Sequence, residues 1–225
     1  MENNLVVQAK DVVKTYDEGR VQALNGVNLD VVSASFIALA GPSGSGKTTL
    51  LNIIGALDIP DSGSVGIEGR NLESMKEKER TTLRRERIGF IFQQFNLVPV
   101  LTARENVELP LEILPGFDRA ARKKTALEML SLVGLEGLEN RFPNKLSGGQ
   151  QQRVAVARAL VKSPAIILAD EPTANLDSEN GMAIVDLMKK MRDELGSAFI
   201  LSSHDPRVLE RVERVVQLVD GRIDQ

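Results

Sequence analysis

The chain has 225 residues, a formal net charge of −3 and neither cysteine nor tryptophan. This length allows one large domain that buries about 70% of the unfolded surface. The mildly acidic balance argues against a general nucleic-acid-binding protein, and the lack of cysteine excludes disulfides and thiolate metal sites. No apolar run reaches the roughly 18 residues of a membrane span, and residues 1–10 lack the features of a cleaved leader. We therefore expect one cytosolic domain without a nucleic-acid partner.

Strand and helix signals alternate along the chain, which is typical of a single α/β domain. Residues 5–13 and 27–32 are predicted to be half-exposed strands. Residues 36–40 (FIALA) are continuously apolar and stop at a glycine, which predicts a buried parallel strand. Apolar residues at helical spacing then predict a helix over residues 47–57.

The second half of the chain continues the same alternation. Three further short apolar runs predict strands at residues 88–92, 165–169 and 198–201. Residues 118–133 are predicted to form a helix that begins at an Asp118 cap and stops at Gly134. The dipeptide Asp220-Gly221 predicts a tight hairpin between residues 215–219 and the last residues.

Residues 41–48 (GPSGSGKT) fit the P-loop pattern of two glycines, a lysine and a hydroxyl residue. They join a predicted strand to a helix N-terminus, where backbone N–H groups form an anion-binding nest. Lys47 is expected to neutralise the β and γ phosphates of a nucleoside triphosphate, and the Thr48 hydroxyl to bind Mg²⁺. The alternative is a glycine turn with a solvated lysine. The residues expected to hold the triphosphate are Gly41, Pro42, Ser43, Gly44, Ser45, Gly46, Lys47, Thr48 and, in a supporting role, Thr49.

Two carboxylates, Asp170 and Glu171, follow the apolar run 165–169 directly. Ligands of an open parallel sheet lie beyond the carboxyl ends of its strands, so Asp170 is expected to approach the same Mg²⁺ as Thr48. Glu171 is placed to polarise an attacking water and is the candidate general base. The alternative is an acidic turn at a strand end, because Pro172 follows.

Residues 146–150 (LSGGQ) form a second element of the kind that contacts phosphate. Ser147 and Gln150 make a capping box at the start of a helix. The capping box does not explain Gly148 and Gly149, since each glycine in a helix costs up to about 1 kcal/mol relative to alanine. Something must come close to that backbone, and a γ phosphate at the bare helix N-terminus is the predicted neighbour. The capping and phosphate roles can coexist.

The P-loop, the acidic strand end and the LSGGQ element, in this order and spacing, resemble the ABC ATPases over essentially the whole chain. The resemblance implies ATP and Mg²⁺ as ligands. It also implies a P-loop NTPase (RecA-like) core with an N-terminal antiparallel β subdomain and a helical subdomain inserted at roughly residues 94–160, all within one domain, residues 1–225. In such ATPases LSGGQ of one subunit closes, head to tail, over the ATP held by the P-loop of a second.

The same resemblance gives roles to four smaller elements. Tyr16 corresponds to the aromatic residue that stacks on adenine. Gln93 corresponds to the glutamine that meets Mg²⁺ or the attacking water and senses the membrane partner, although neighbouring Gln94 leaves the register open. Asp177 corresponds to the D-loop aspartate that links the two ATP sites, and His204 to the histidine that contacts the γ phosphate. Taken singly, each residue also fits an ordinary structural role.

Three segments carry weaker signals. Residues 95–102 are apolar and form either the core of the helical subdomain or, as the resemblance favours, a surface that docks a membrane subunit. The charged run 76–87 is more typical of a solvated helix face than of a nucleic-acid site, because acidic residues interrupt it. Residues 33–35 (SAS) replace a Gly-Glu turn common in the family, which can weaken that turn.

Residues 88–111 resemble the lipoprotein-release and macrolide-efflux group, which is also similar to a cell-division ATPase. The implied partners are a second copy of the chain and an integral membrane permease, at the cytoplasmic face of the plasma membrane. The expected role is an exporter or lipoprotein-release ATPase that transmits motion to the permease; the alternative is a regulator of a membrane partner without transport. ABC ATPases that handle nucleic acids carry long coiled coils or tandem ATPase domains, and this sequence shows neither. P-loop kinases lack the LSGGQ element that this sequence contains. Both alternative classes are therefore disfavoured.

Overall fold

The computed structural model describes residues 4–224. Its strands are β1 (Leu5–Tyr16), β2 (Val21–Val32), β3 (Phe36–Ala40), β4 (Ser62–Ile67), β5 (Arg70–Asn71), β6 (Ile88–Ile91), β7 (Ile166–Asp170), β8 (Ala198–Ser202), β9 (Arg214–Val219) and β10 (Arg222–Ile223). Its helices are α1 (Lys47–Ile54), α2 (Glu77–Arg87), α3 (Ala103–Glu112), α4 (Arg119–Leu132), α5 (Gly148–Leu160), α6 (Ser178–Leu195) and α7 (Pro206–Leu209). Within residues 4–224, no helix is both long enough and apolar enough to cross a membrane.

A six-stranded sheet in the order β10-β9-β3-β8-β7-β6 forms the centre of the molecule. Strands β3, β6, β7, β8 and β9 run parallel, and β10 pairs antiparallel with β9 at one edge. Both faces of β3, β7 and β8 are covered, which explains why these strands are almost continuously apolar, whereas β9 buries only Val216 and Leu218. All five side chains of β3 and all five of β8 are buried.

Alternate side chains of each central strand enter different hydrophobic cores, because successive residues point to opposite faces. On one face, Phe36 and Phe199 pack with their ring centroids 5.7 Å apart. On the other face, Ile37 and Ile200 join the second core. The sheet therefore separates two hydrophobic cores, and packing in both cores holds the ends of its strands in place.

The second core lies beneath an antiparallel sheet of order β2-β1-β4-β5. Leu24, Val65 and Ile67 of this sheet are fully buried against Leu50 and Ile53 of α1. The first core includes helices α3, α4 and α5, which pack on one another through residues such as Val107, Leu130 and Val154. Helix α1 is thus fixed by the antiparallel sheet, and α5 by the helical layer.

Most predicted elements are confirmed, and the differences lie at their ends. Strand β3 has the predicted bounds, whereas β1 and β2 are longer than predicted. Helix α1 ends at Ile54 rather than residue 57, because Ala56 adopts a left-handed φ of 54° that turns the chain. The predicted hairpin is confirmed: Asp220 and Gly221 have φ values of 47° and 73°, as a tight type I′ turn requires.

Sequence analysis assigned no element to residues 62–71 or 178–195, where the structure has β4, β5 and α6. Strand β4 contains two glycines in six residues, which weakens the strand pattern. Helix α6 is amphipathic, with Asp177 as its N-cap and Gly196 as its left-handed stop, so its signals were present in the sequence.

Ala34, in the turn that departs from the family pattern, has a left-handed φ of 54°. This conformation costs a residue with a Cβ about 1 to 2 kcal/mol. We expect Ala34→Gly to stabilise the protein by about 1 kcal/mol, measured as an increase in thermal Tm, since glycine adopts this φ without strain. Ser33→Gly is the matched control: Ser33 is not left-handed, so glycine there should leave Tm unchanged or lower it. An equal rise for both variants would contradict the role of φ.

Candidate active site

A cleft of about 740 Å³ lies at the carboxyl ends of β3 and β7, beside the N-terminus of α1. Its volume is within the range of ligand sites in proteins. The cleft is lined by Tyr16, Val21, Gln22, Ala23, Gly41, Pro42, Ser43, Gly44, Gly46, Lys47, Thr48, Thr49, Gln93, Asp170, Glu171, Ala174 and His204. The structure therefore brings together all the predicted site residues except Ser45, Asp177 and those of the LSGGQ element.

The P-loop forms one wall of the cleft. The Lys47 ammonium donates to the carbonyl oxygens of Gly41 at 2.7 Å and Pro42 at 2.9 Å, which holds it across the loop. Ser45 is buried and supports the loop from behind rather than lining the cleft. Gly44 has a φ of 79°, and a Cβ built there would meet no atom within 4 Å. The open side of Gly44 leaves its backbone accessible to a phosphate.

Thr48 and Asp170 come from different elements and meet across the cleft. The Thr48 hydroxyl lies 3.2 Å from Asp170 Oδ2, and Ser202 Oγ donates to Asp170 Oδ1 at 2.5 Å. Within residues 4–224, no group of three or more His, Asp or Glu side chains is arranged to hold a metal alone. Mg²⁺ usually binds through one or two carboxylates together with substrate phosphates and water. The Thr48 hydroxyl and the Asp170 carboxylate fit such a site, with the Gln93 amide on the same cleft.

Glu171 lies in a constrained backbone position. Its φ is 45°, in the left-handed region, and its amide N–H donates to Ser202 Oγ at 2.9 Å. Its carboxylate Oε1 is 2.9 Å from Nδ1 of His204, whose side chain is 75% exposed. A residue with an unfavourable backbone conformation persists only where several contacts with the surrounding structure hold it, and such residues are frequent at functional sites. Ser202 holds both Asp170 and Glu171, so one hydroxyl fixes the relative position of the two carboxylates.

Sequence analysis did not identify Ser202, although a signal for it existed. Ser202 is the last residue of the apolar strand β8, whose carboxyl end lies beside that of β7. A polar residue at that position has the same relation to its strand as Asp170 has to β7.

Tyr16 forms the far wall of the cleft and is oriented by residues that sequence analysis also missed. The ring is 38% exposed, and its hydroxyl donates to Asp58 Oδ2 at 2.9 Å. Lys14 Nζ bonds Asp58 at 2.8 Å and lies 5.4 Å from the ring centroid. Burial and the hydrogen bond to Asp58 raise the pKa of Tyr16, which therefore stays a phenol and a donor. An exposed, fixed aromatic face is suited to stacking on a base.

Gln93 follows β6 and is exposed at the cleft. The main-chain carbonyl oxygen of Gln93 accepts a hydrogen bond of 2.9 Å from Nδ2 of Asn175. Asn175 belongs to the segment between Glu171 and α6, so this bond ties the Gln93 loop to the loop that carries the candidate base. Gln94 is exposed and does not line the cleft, which favours Gln93 in the register that the sequence left open.

The LSGGQ element lies outside the cleft, at the N-terminus of α5. The predicted capping box is confirmed: Ser147 Oγ accepts from the Gln150 amide, and Gln150 Oε1 accepts from the Ser147 amide at 3.0 Å. Ser147 is exposed, whereas Gly149 is buried.

The two glycines have close neighbours within this chain, in addition to the γ phosphate that the sequence predicts at this backbone. A Cβ built at Gly149 would lie 3.0 Å from Asn180 Oδ1, and one at Gly148 would lie 3.4 Å from Leu176. Close packing of α5 against α6 and the preceding loop therefore requires a small residue at position 149. Gly148 is only in ordinary contact and remains available to another molecule.

Asp177 also lies outside the cleft, as the N-cap of α6. Its carboxylate accepts from the Asn180 amide N–H at 2.9 Å and from the Asn180 side chain at 2.7 Å. These two bonds hold the pKa of the Asp177 carboxyl below its ordinary value. Asn180 thus joins Asp177 to the neighbourhood of Gly149.

A glycine-rich loop between a parallel strand and a helix, facing a hydroxyl, two carboxylates and a histidine at adjacent strand ends, defines a P-loop nucleoside triphosphatase. The family model described as ABC transporter matches residues 24–174, about two thirds of the chain. The chain belongs to the ABC transporter family and is an ATP-hydrolysing subunit of it.

Known sequences and a solved structure resemble this chain over nearly its whole length. An uncharacterised ABC transporter ATP-binding protein of Methanocaldococcus jannaschii, MJ0796, is 48% identical over 98% of this chain and 96% of its own length. LolD, the lipoprotein-releasing system ATP-binding protein of Bordetella pertussis, is 42% identical over 96% of this chain and 94% of its own. A dimeric structure of MJ0796 in a post-hydrolysis state, bound to ADP and Pi, matches over 97% of each chain with a TM-score of 0.88.

Proposed function

We propose that two copies of this ATPase bind two ATP molecules head to tail and that their closing and opening drives a membrane permease at the cytoplasmic face of the plasma membrane. One observation carries the proposal. The cleft contains the P-loop, the candidate metal ligands and the candidate base, while the LSGGQ element of the same copy lies outside it, with Ser147 exposed. A site of this kind is completed by the exposed LSGGQ element of a second copy.

The predicted site residues of the cleft have separate tasks in ATP binding. The adenine stacks on Tyr16, and the phosphates lie along the loop 41–46 with Lys47 neutralising the β and γ phosphates. Backbone N–H groups at the start of α1 face the phosphates with the positive end of the helix dipole behind them. Thr49 supports the loop beside Thr48.

Hydrolysis follows from the positions of Glu171 and His204. Glu171 accepts a proton from the attacking water, and His204, hydrogen-bonded to the Glu171 carboxylate, faces the γ phosphate. Thr48, Asp170 and Gln93 would hold Mg²⁺, which would neutralise charge on the phosphates. Ser147 and the backbone N–H of Gly148 from the second copy stabilise the transition state from the opposite side, and Asp177 lies at the junction of the two sites.

The general-base role of Glu171 predicts the behaviour of Glu171→Gln. The amide cannot accept the proton, so we expect turnover to fall about 100-fold to 10,000-fold while ATP still binds. Unhydrolysed ATP should then hold two copies together, which size-exclusion chromatography with light scattering in MgATP would detect as a dimer. Wild-type protein in MgADP is the control and should run as a smaller species. Only monomer at saturating MgATP would refute the shared site.

Complementation between two inactive variants tests the head-to-tail geometry. Lys47→Ala removes the P-loop charge, and Ser147→Ala removes an LSGGQ donor, with an expected loss of about 100-fold to 1,000-fold in turnover. A mixed dimer contains one intact site, formed by the P-loop of the Ser147→Ala copy and the LSGGQ element of the Lys47→Ala copy. Mixing the two variants should therefore restore phosphate release.

The matched control mixes Lys47→Ala with the double variant Lys47→Ala/Ser147→Ala. No pairing of these chains has an intact P-loop, so this mixture should stay inactive. If the first mixture also stays inactive, LSGGQ does not act across the dimer.

The resemblance to LolD supports a permease-coupled role of the lipoprotein-release type, and the role as a cell-division regulator is not favoured. A groove of about 460 Å³ supplies a docking surface for the permease. Its apolar lining includes Leu57, Phe90, Phe92 and Ile113; the Phe90 and Phe92 rings stack at 5.9 Å, and Ile113 is 61% exposed.

The groove differs from the docking surface expected at residues 95–102. Of that segment only Asn96 lines it, while Leu97 packs against the first core and Val100 is 77% exposed elsewhere. Leu97 thus supports a core role for part of the segment, and only Asn96 supports its proposed docking role. Basic residues border the groove, and burial lowers the pKa of one of them, Lys162, to about 8. An apolar cytoplasmic helix of the permease with an acidic end fits these walls.

The groove lies between the core and the helical subdomain, proposed to span roughly residues 94–160. Phe90 and Leu57 belong to the core side, while Ile113 follows α3, which packs against α5. Since α5 begins at the LSGGQ element, closure over ATP moves one wall of the groove relative to the other. The helical subdomain is thus the lever that transmits closure to the permease.

The groove predicts that Ile113→Asp abolishes recovery of a multi-span permease with the protein from detergent-solubilised membranes, because the carboxylate replaces the apolar contact of Ile113 and repels the acidic end of the permease helix. The soluble ATPase rate should be unchanged. Leu132→Asp is the matched control, since Leu132 is 40% exposed on α4 outside the groove. Mass spectrometry of the purified material identifies the partner. Undiminished permease recovery with Ile113→Asp, or recovery only with ribosomes or DNA, would contradict the proposal.

A further inference from the structure

Helix α5 contains a buried amide, Gln152, for which the ATP site described above gives no role. The side chain is 0% exposed, and its Nε2 donates to the carbonyl oxygen of Pro172 at 2.6 Å. The other amide atom, Oε1, is buried and has no hydrogen-bond partner among residues 4–224. A buried acceptor without a partner is destabilising relative to an apolar side chain of the same shape. Packing alone therefore does not explain a glutamine at this position.

A second fully buried amide, Asn106 of α3, shows what a structural role looks like. Its Nδ2 donates to the carbonyl oxygens of Val98, Leu101 and Thr102, and its Oδ1 accepts from the Val98 amide. Both atoms are paired, and the side chain fixes the loop that precedes α3. Gln152 makes a single bond, and that bond goes to the residue that follows the candidate base.

The Pro172 carbonyl is one end of a segment that needs support. Glu171 has a left-handed φ of 45°, a conformation that is unfavourable for a residue with a Cβ. On one side its amide is held by Ser202 of β8. On the other side, Gln152 holds the next carbonyl. The Glu171 backbone therefore lies between a sheet residue and a helix residue, and the helix residue belongs to α5.

Helix α5 is the helix that begins at the LSGGQ element, with Ser147 as its N-cap. Gln152 lies five residues after Ser147 on a continuous helix, so a displacement of the LSGGQ end carries Gln152 with it. Because one copy's LSGGQ contacts ATP bound by the partner, while its Glu171 acts on its own ATP, α5 lies between the two nucleotides of a dimer.

We infer that Gln152 is a positioning residue: its hydrogen bond to Pro172 sets the Glu171 carboxylate in place and makes this placement depend on how α5 is seated against the partner's ATP. The inference rests on the proposed roles of Glu171 and the LSGGQ element. Gln152 does not line the cleft that contains the candidate metal ligands. Its effect passes through the backbone of residues 171 and 172.

The test is a double-mutant cycle in kcat between Gln152→Met and Glu171→Gln. Methionine matches glutamine in length but cannot donate a hydrogen bond, so the Pro172 carbonyl loses its partner. The same substitution removes the unpaired Oε1 atom, which offsets that loss. Tm should therefore change little. A displacement of the base on the order of 1 Å costs about 100-fold in rate, so we expect kcat to fall by about 10-fold to 100-fold with the ATP KM unchanged. In the Glu171→Gln background, Gln152→Met should cause no further loss, because a residue that acts only through Glu171 has nothing left to position.

Asn106→Leu is the control for a buried amide with a structural role. It should lower Tm, and any loss of kcat should multiply with that of Glu171→Gln instead of disappearing. Single-turnover measurement of phosphate release resolves the slow residual rates. A wild-type kcat for Gln152→Met, or the same fold-loss in both Glu171 backgrounds, would overturn the inference.

Chromatography of the same samples separates this inference from the proposed function. Glu171→Gln and the double variant Gln152→Met/Glu171→Gln should both form the dimer in MgATP. If Glu171→Gln fails to dimerise, the shared site is wrong and the inference falls with it. If both dimerise and the cycle shows no coupling, the inference alone is wrong.

Discussion

Parallel pairing of β3, β8 and β7 is the constraint on which the site depends. Their registers place Leu39, Ser202 and Asp170 at the same edge of the sheet. Each strand is buried on both faces, so polar chemistry begins only where the strands end. The P-loop, Ser202, Asp170 and Glu171 are neighbours for this reason, although more than 100 residues separate the first from the last.

The elements that could be predicted from sequence are those with strong local signals. Strand β3 was predicted to the residue because five apolar side chains are bounded by a turn and a glycine. The P-loop, Asp170 and Glu171 follow from motifs at strand ends, whereas Tyr16, Gln93 and His204 were assigned through the family resemblance. Contacts across the chain could not be predicted in this way. The bonds of Tyr16 with Asp58, of Gln152 with Pro172 and of Glu171 with Ser202 join residues 20 or more positions apart. Only the packing of separate elements decides such pairs.

The LSGGQ glycines show how one short element can satisfy two demands. Packing against Asn180 accounts for the small residue at position 149, whereas ordinary contacts at Gly148 do not require glycine there. The cost of glycine in a first helical turn correctly predicted that another group lies close to this backbone. The expected group belonged to another molecule, whereas at Gly149 it is Asn180 of the same chain. Packing within the chain fixes the direction of α5 relative to the loop that precedes it. The exposed N-cap residue Ser147 is therefore presented to solvent in a fixed orientation.

The position of the LSGGQ element outside the cleft of its own copy also affects how steeply the number of closed dimers depends on ATP concentration. Two identical half-sites face each other, so a closed pair contains two nucleotides and its population grows with the square of the ATP occupancy of single copies. A modest fall in cellular ATP would therefore reduce the number of closed pairs more than proportionally. A chain that kept its whole site to itself would respond only linearly.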